Sequence, residues 1–269
     1  MHMEIINSSW RARDFKFALF DFDGTISLIR EGWQNIMIPM MIEIIRGTQT
    51  NETPQSITEI VSRFVSELTG RQTIYQMIRL AEEVRKRGVE PETPLIYKKR
   101  FHSRLNAHIA ARITGLEKGA ISPERLLVPG CLEFLNALKT HGLTLYLASG
   151  TDLKDVEREL RLLGIAKFFG HHVYGALDNY QDFSKERIVQ KIIRDSGGSS
   201  NNLIGFGDGY VETQCIKNAG GLAVGVASNE ANPNGAIDES KRCTLIRSGA
   251  DIIIPNFQDS GTLLNHIIG

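Results

Sequence analysis

The sequence predicts an α/β fold: a doubly wound parallel sheet with an all-helical domain inserted after the first strand that carries the motif residues. Three observations point there. Phe17-Ala18-Leu19-Phe20 is a short apolar run that ends abruptly at Asp21-Phe22-Asp23-Gly24-Thr25, as a buried strand ends at a polar turn. Residues 26–128 carry helical periodicity and no strand pattern. From Pro129-Gly130 onward, apolar runs of strand length alternate with helical segments, which is βαβ grammar and implies a parallel sheet.

Within the insert, Trp33, Ile36, Met37, Met40, Met41, Ile44 and Ile45 fall on one helical face, with a kink expected at Pro39. Gln34, Asn35 and Glu43 make this stretch too polar for a membrane span, so its Met-rich face reads as packed core. Further helices are predicted at about 56–69, 72–87 and 94–115, broken at Gly70, at 88–94 and at 115–123. In the second half the order is a helix over 131–140, a strand Leu143 to Ala148, a helix over 152–163 and a strand around Val173 to Leu177. It continues with a helix near 184–195, the strand Leu203 to Phe206, a helix at 210–219 and the strand Leu222 to Val226. A helix near 236–248, the strand Asp251 to Ile254 and a closing helix complete it. The expected domains are therefore a core of 1–25 with 129–269 and a helical insert of 26–128.

The 269 residues hold 31 Lys and Arg against 31 Asp and Glu, so no global field draws in nucleic acid or an anionic membrane. The insert is net positive and the core net negative by the same amount, which suits an anionic substrate but carries little weight alone. Cys131, Cys215 and Cys243 are odd in number and widely spaced, so free thiols in a reducing compartment are expected. With no basic segment followed by an apolar one at the start, a cytoplasmic protein is expected, as monomer or homodimer.

Four polar clusters stand at predicted strand ends, where open α/β sheets bind ligands. In extended backbone Asp21 and Asp23 point the same way and face one small volume, and two carboxylates so close call for a hard cation such as Mg²⁺. Ser149-Gly150-Thr151 offers a hydroxyl and helix-start amides to a phosphate oxygen. Lys185 supplies a positive charge. Gly207-Asp208-Gly209 follows the strand at 203–206, with Glu212 one turn along the next helix. Taken singly, these are turn chemistry, a helix cap or a solvated lysine; together and in this order they point to one site.

Asp21-Phe22-Asp23-Gly24-Thr25, Ser149, Lys185 and Gly207-Asp208-Gly209 resemble the four motifs of the haloacid dehalogenase superfamily, and the insert resembles its helical C1-type cap. The resemblance implies a Rossmann-like core, a mobile cap and Mg²⁺-dependent phosphoryl transfer, similar to phosphoglycolate phosphatases and β-phosphoglucomutases. It implies that Asp21 is the nucleophile and Asp23 the general acid and base. It implies further that Asp21, Asp23 through its backbone carbonyl, and Asp208 hold the metal. Gly24, Thr25, Ser149, Gly150 and Lys185 would bind the phosphoryl group. Glu212 stands where relatives commonly carry a second Asp, and its reach extends to a metal-bound water or to Lys185.

In caps of this type a turn between two helices faces the substrate; Arg71, in Thr69-Gly70-Arg71-Gln72-Thr73, is the matching candidate, and Arg30 is another at the mouth. The expected activity is hydrolysis of a small phosphorylated metabolite, such as a sugar phosphate or a phosphoglycolate-like acid. A sugar phosphomutase is the closest alternative, although Thr25 leans towards phosphatases because related mutases often carry Val there. A non-catalytic binding module is the alternative from another class, disfavoured because every catalytic station is filled.

Overall fold

The computed structural model describes residues 3–8, 14–177, 179–195, 197, 201–234 and 236–268. The chain forms two compact units, Met1–Glu31 with Arg112–Gly269, and Gly32–Ala111.

The larger unit opens with β1 (Glu4–Ile5) and β2 (Phe17–Phe20). The helices of the smaller unit follow: α1 (Trp33–Arg46), α2 (Pro54–Glu67), α3 (Thr73–Lys86) and most of α4 (Pro94–Glu117). The larger unit resumes within α4 and continues through α5 (Cys131–Thr140), β3 (Thr144–Asp152), α6 (Leu153–Leu162), α7 (Ala166–Phe169) and β4 (Val173–Ala176). Then come α8 (Lys185–Asp195), β5 (Leu203–Gly207), α9 (Tyr210–Asn218), β6 (Leu222–Val226), α10 (Glu239–Arg247), β7 (Ile252–Ile254) and α11 (Ser260–Ile267).

Among the described residues the strands form one sheet in the order β1-β7-β6-β5-β2-β3-β4. β2 is central, between β3 and β5, with Phe20 opposite Leu147 on one side and Phe206 on the other. The chain winds outward from β2 in both directions, so the loops after β2, β3 and β5 emerge side by side at the point where the winding reverses. The sheet is parallel from β7 through β4, as the alternation of strand and helix predicts, and departs from this only at its β1 edge. β1 pairs antiparallel with β7, and two residues are too few to register as an apolar run in the sequence.

One face of the sheet is built on aromatic packing. Phe20 stacks on Phe206 with ring centroids 4.6 Å apart, Phe134 of α5 stacks on Phe257 at 5.0 Å, and Phe169 meets Phe20 edge-on at 6.2 Å. Each such ring, fully buried, contributes roughly 1.5–3 kcal/mol from removal of its surface from water. On the other face Leu19, Tyr146, Val189, Ile192 and Ile216 form a second cluster under α8 and α9. The strands that carry the polar clusters are thus clamped from both sides.

The smaller unit packs α1, α2 and α3 against one another. Met37, Met40, Met41 and Ile45 of α1 are buried, as the helical spacing predicts, and α1 continues on both sides of Pro39. α2 begins at Thr53, whose hydroxyl accepts from the Ser56 amide, with Pro54 preset for the first turn.

Candidate active site

The pairing register brings the predicted clusters together. The Asp21 amide donates to the Phe206 carbonyl at 2.9 Å, extending the ladder one residue beyond β2 and fixing Asp21 beside Gly207 and Asp208. The chain then turns sharply, with the Ile26 amide on the Phe22 carbonyl at 2.8 Å and the Gly24 amide on the Ser27 carbonyl at 2.9 Å. Gly24 is required twice over: its φ is +73°, and a β-carbon there would stand 2.2 Å from Asp208 Oδ2.

Lys185, at the start of α8, is buried and places Nζ 2.8 Å from Asp21 Oδ1 while also pairing with Glu212 of α9. Of the two partners the sequence allowed for Glu212, the structure shows Lys185. Burial pushes the Asp21 carboxyl up to about 6, helped by the charges of Asp208 and Asp23 and opposed by Lys185. Asp21 is therefore held as an anion near neutral pH mainly by one ammonium.

Asp23 accepts from Thr151 Oγ1 at 2.8 Å and more loosely from Ser149 Oγ at 3.4 Å, both on the same oxygen, Oδ2. Its Oδ1 is buried, has no hydrogen-bond partner and lies 3.8 Å from Arg30 Nε. Burial raises the proton affinity of Asp23, with Arg30 and Thr151 opposing. The Arg30 guanidinium is itself taken by Glu159 of α6, Nη2 to Oε1 at 2.7 Å and Nε to Oε1 at 3.1 Å, with Asp155 3.6 Å away. Three carboxylates share one buried cation, so burial, with Asp23 adding to it, lifts Glu159 to about 7.

Ser149 and Thr151 do not follow the strand, as the sequence had suggested; they lie inside it, because β3 extends to Asp152. The register to β4 shifts between Ala148 and Asp152, and Gly175 makes room for this: a β-carbon there would stand 2.6 Å from the Leu153 Cα. The irregularity lets a strand carry two hydroxyls to one carboxylate. Ser149 Oγ also accepts from the Thr151 amide at 3.1 Å, and Gly150, partly buried, lies between them. Thr25 is fully buried and its hydroxyl has no partner.

Asp208 carries a neighbourhood that sequence reasoning missed. Lys241 Nζ is 2.7 Å from Asp208 Oδ2, 2.8 Å from Glu230 Oε1 and 3.3 Å from Ser228 Oγ, and the Ser228 hydroxyl donates to the Gly24 carbonyl. Burial opposes the charge on Lys241, but Asp208 and Glu230 raise its pKa above the ordinary lysine range. Nothing in the local sequence marks these residues; Lys241 reads as a surface lysine in the first turn of a helix capped by Asp238. Thr151 enters the site with the Ser149-Gly150-Thr151 cluster that the sequence singles out, whereas nothing in the local sequence marks Glu159, a charge on α6.

The charge of Asp208 raises the proton affinity of both Asp21 and Asp23, so the three carboxylates lie near one another. The set is all oxygen, and Asp23 Oδ1 is an orphaned acceptor. Such donors fit a hard divalent cation such as Mg²⁺. Arg71 belongs to the smaller unit, exposed on the turn before α3, with its guanidinium 5.9 Å from the centre of the Tyr75 ring.

The family model of haloacid dehalogenase-like hydrolases matches residues 15–220, and the chain belongs to that family. Among curated proteins, none matches the chain in sequence. Solved structures match in fold. A β-phosphoglucomutase from Clostridium difficile is 16% identical with a TM-score of 0.58, covering 91% of this chain and 92% of its own. A predicted phosphoglycolate phosphatase from Haemophilus somnus is 18% identical with a TM-score of 0.58, over 93% and 98%. A family hydrolase from Deinococcus radiodurans, with bound phosphate and sodium, is 18% identical with a TM-score of 0.53, over 94% and 96%. At these identities the likeness is one of fold. Among the described residues no helix is long and apolar enough to cross a membrane.

Proposed function

We propose that this protein is a Mg²⁺-dependent phosphatase that hydrolyses a small phosphorylated metabolite, a sugar phosphate or phosphoglycolate-like acid, through a phosphoaspartate on Asp21. The observation that carries the reading is the arrangement of Asp21 and Asp23: one carboxylate held by Lys185, the other with raised proton affinity and two hydroxyls on one oxygen.

An Asp21 oxygen attacks phosphorus as the bond to the leaving alkoxide breaks, and Asp23 gives that alkoxide its proton. Water then attacks the same phosphorus, Asp23 takes the proton, and the bond to Asp21 breaks to release phosphate. The raised proton affinity of Asp23 suits the first of these tasks near neutral pH. Lys185 and the amides of Gly24 and Thr25, with Ser149 and Gly150, hold the phosphoryl oxygens as charge redistributes. Asp21, the Asp23 backbone carbonyl and Asp208 would hold Mg²⁺, whose charge offsets the repulsion between the Asp21 carboxylate and the phosphate.

Residues 26–128 serve as a cap in this reading, with Arg71 as the candidate for selecting the leaving group; Arg30, expected at the mouth, is instead buried against Glu159, Asp155 and Asp23, and the enzyme is cytoplasmic. A sugar phosphomutase is supported by the likeness in fold to a β-phosphoglucomutase. The deciding experiment is Mg²⁺-dependent phosphate release from a panel of phosphorylated sugars, acids and nucleotides, with Asp21→Asn as the blank. Loss of about 10³-fold or more in the variant is expected. Equal rates in both would sink the covalent scheme, and interconversion of sugar phosphates without phosphate release would identify the mutase.

A further inference from the structure

The geometry points to Lys241 as a positioning residue that presents Asp208 to the metal, with Glu230 as its anchor. This rests on the reading of Asp208 as a metal ligand and extends it to two residues outside the family's four motifs.

The Lys241 ammonium is surrounded by Asp208, Glu230 and Ser228 at 2.7, 2.8 and 3.3 Å. An ammonium has three protons, and these three acceptors account for all of them. Lys241 is thus held in place by groups other than Asp208, unlike a solvated side chain that has folded onto the nearest carboxylate. Its own element fixes it further, since the Lys241 amide donates to Asp238 Oδ1 at 2.9 Å at the start of α10.

Among the described residues, Lys241 engages Oδ2 of Asp208, and a carboxylate has a second oxygen with which to ligate. Carboxylate ligands in metal sites are ordinarily oriented by such outer partners. The same lysine is linked through Ser228 to the Gly24 carbonyl, next in the chain to Asp23. One cation therefore ties the loop after β5 to the turn after β2, and these are the two loops that carry the ligands.

Two consequences of Lys241 oppose each other, which makes the role testable. As a charge it repels a divalent cation, so its removal by charge alone would tighten metal binding. As an orienting group it holds Asp208 in place, so its removal loosens binding. The three-point anchorage argues that orientation wins.

The test is Mn²⁺ affinity, read by the paramagnetic resonance of free Mn²⁺ and by calorimetry, for wild type, Lys241→Met, Glu230→Gln and Asp208→Asn. Thermal unfolding in chelator gives the fold of each. Lys241→Met should bind Mn²⁺ about 10-fold more weakly. Glu230→Gln, which keeps its shape and removes only the anchoring charge, should weaken it in the same direction and carries the test if Lys241→Met does not fold. Unchanged or tighter binding in a folded Lys241→Met, with binding lost in Asp208→Asn, overturns the positioning role and leaves the metal site standing. Wild-type affinity in Asp208→Asn removes Asp208 from the metal site and the role of Lys241 with it.

Discussion

Lys185 Nζ lies 2.8 Å from Asp21 Oδ1, and its other ion pair is with Glu212. The ammonium of α8 is thereby suspended between the carboxylate proposed as nucleophile and the first turn of α9. Glu212→Gln removes the second of the ion pairs that Lys185 makes among the described residues and loosens its hold. Turnover should fall about 10- to 100-fold, the scale of a small misplacement at the reacting centre. Mn²⁺ affinity should stay at the wild-type value. Wild-type turnover would show that Glu212 is dispensable for holding Lys185, and a drop in Mn²⁺ affinity would place it at the metal.

Gly24→Ala should damage the site and the fold together. A left-handed φ of +73° costs an alanine about 1–2 kcal/mol. The new methyl would also stand 2.2 Å from Asp208 Oδ2, so Asp208 must move. Urea unfolding should show the loss of stability and calorimetry a weakened metal site. A variant as stable and as metal-avid as wild type would mean that the turn is free to rearrange.

The Arg30 cluster gives stability a pH dependence. Burial lifts the Glu159 carboxyl to about 7 in the folded protein, above its ordinary value of about 4.5. In that window the folded state binds more protons than the unfolded one, so the contribution of Glu159 is full below about 4.5 and is lost as pH rises through about 7. The span corresponds to at most roughly 3–4 kcal/mol. Urea unfolding from pH 4.5 to 8 should therefore show a steeper fall with pH in wild type than in Glu159→Gln. Parallel profiles would mean that Arg30 keeps Glu159 ionised throughout.

Thr25→Val should leave the protein at least as stable as wild type. The Thr25 hydroxyl is fully buried without a partner, and such a group costs about 1–3 kcal/mol. A rise in the unfolding midpoint is expected, and a drop would show that the hydroxyl finds a partner in solution.

The sequence by itself determined the elements. Strand pattern gives way to carboxylates at Asp21 and Asp23, helical spacing buries Met37, Met40, Met41 and Ile45, and a strand precedes Asp208. Those signals are local: a period of two or of 3.6 residues, broken by glycine and proline. The family motifs are legible for the same reason, being short runs at strand ends. Only the tertiary structure decided what surrounds them. That β3 runs on through Ser149 and Thr151 depends on pairing with β4 and on the space at Gly175; no property of residues 144–152 reveals it. Arg30 meets Glu159 across 129 residues of chain, and Lys241 meets Asp208 only because α10 returns beside the loop after β5. A lysine or glutamate on a helix has the same sequence signature whether solvated or buried against a carboxylate. What separates the two is the low-polarity volume created when distant segments pack, and that volume exists only in the folded chain.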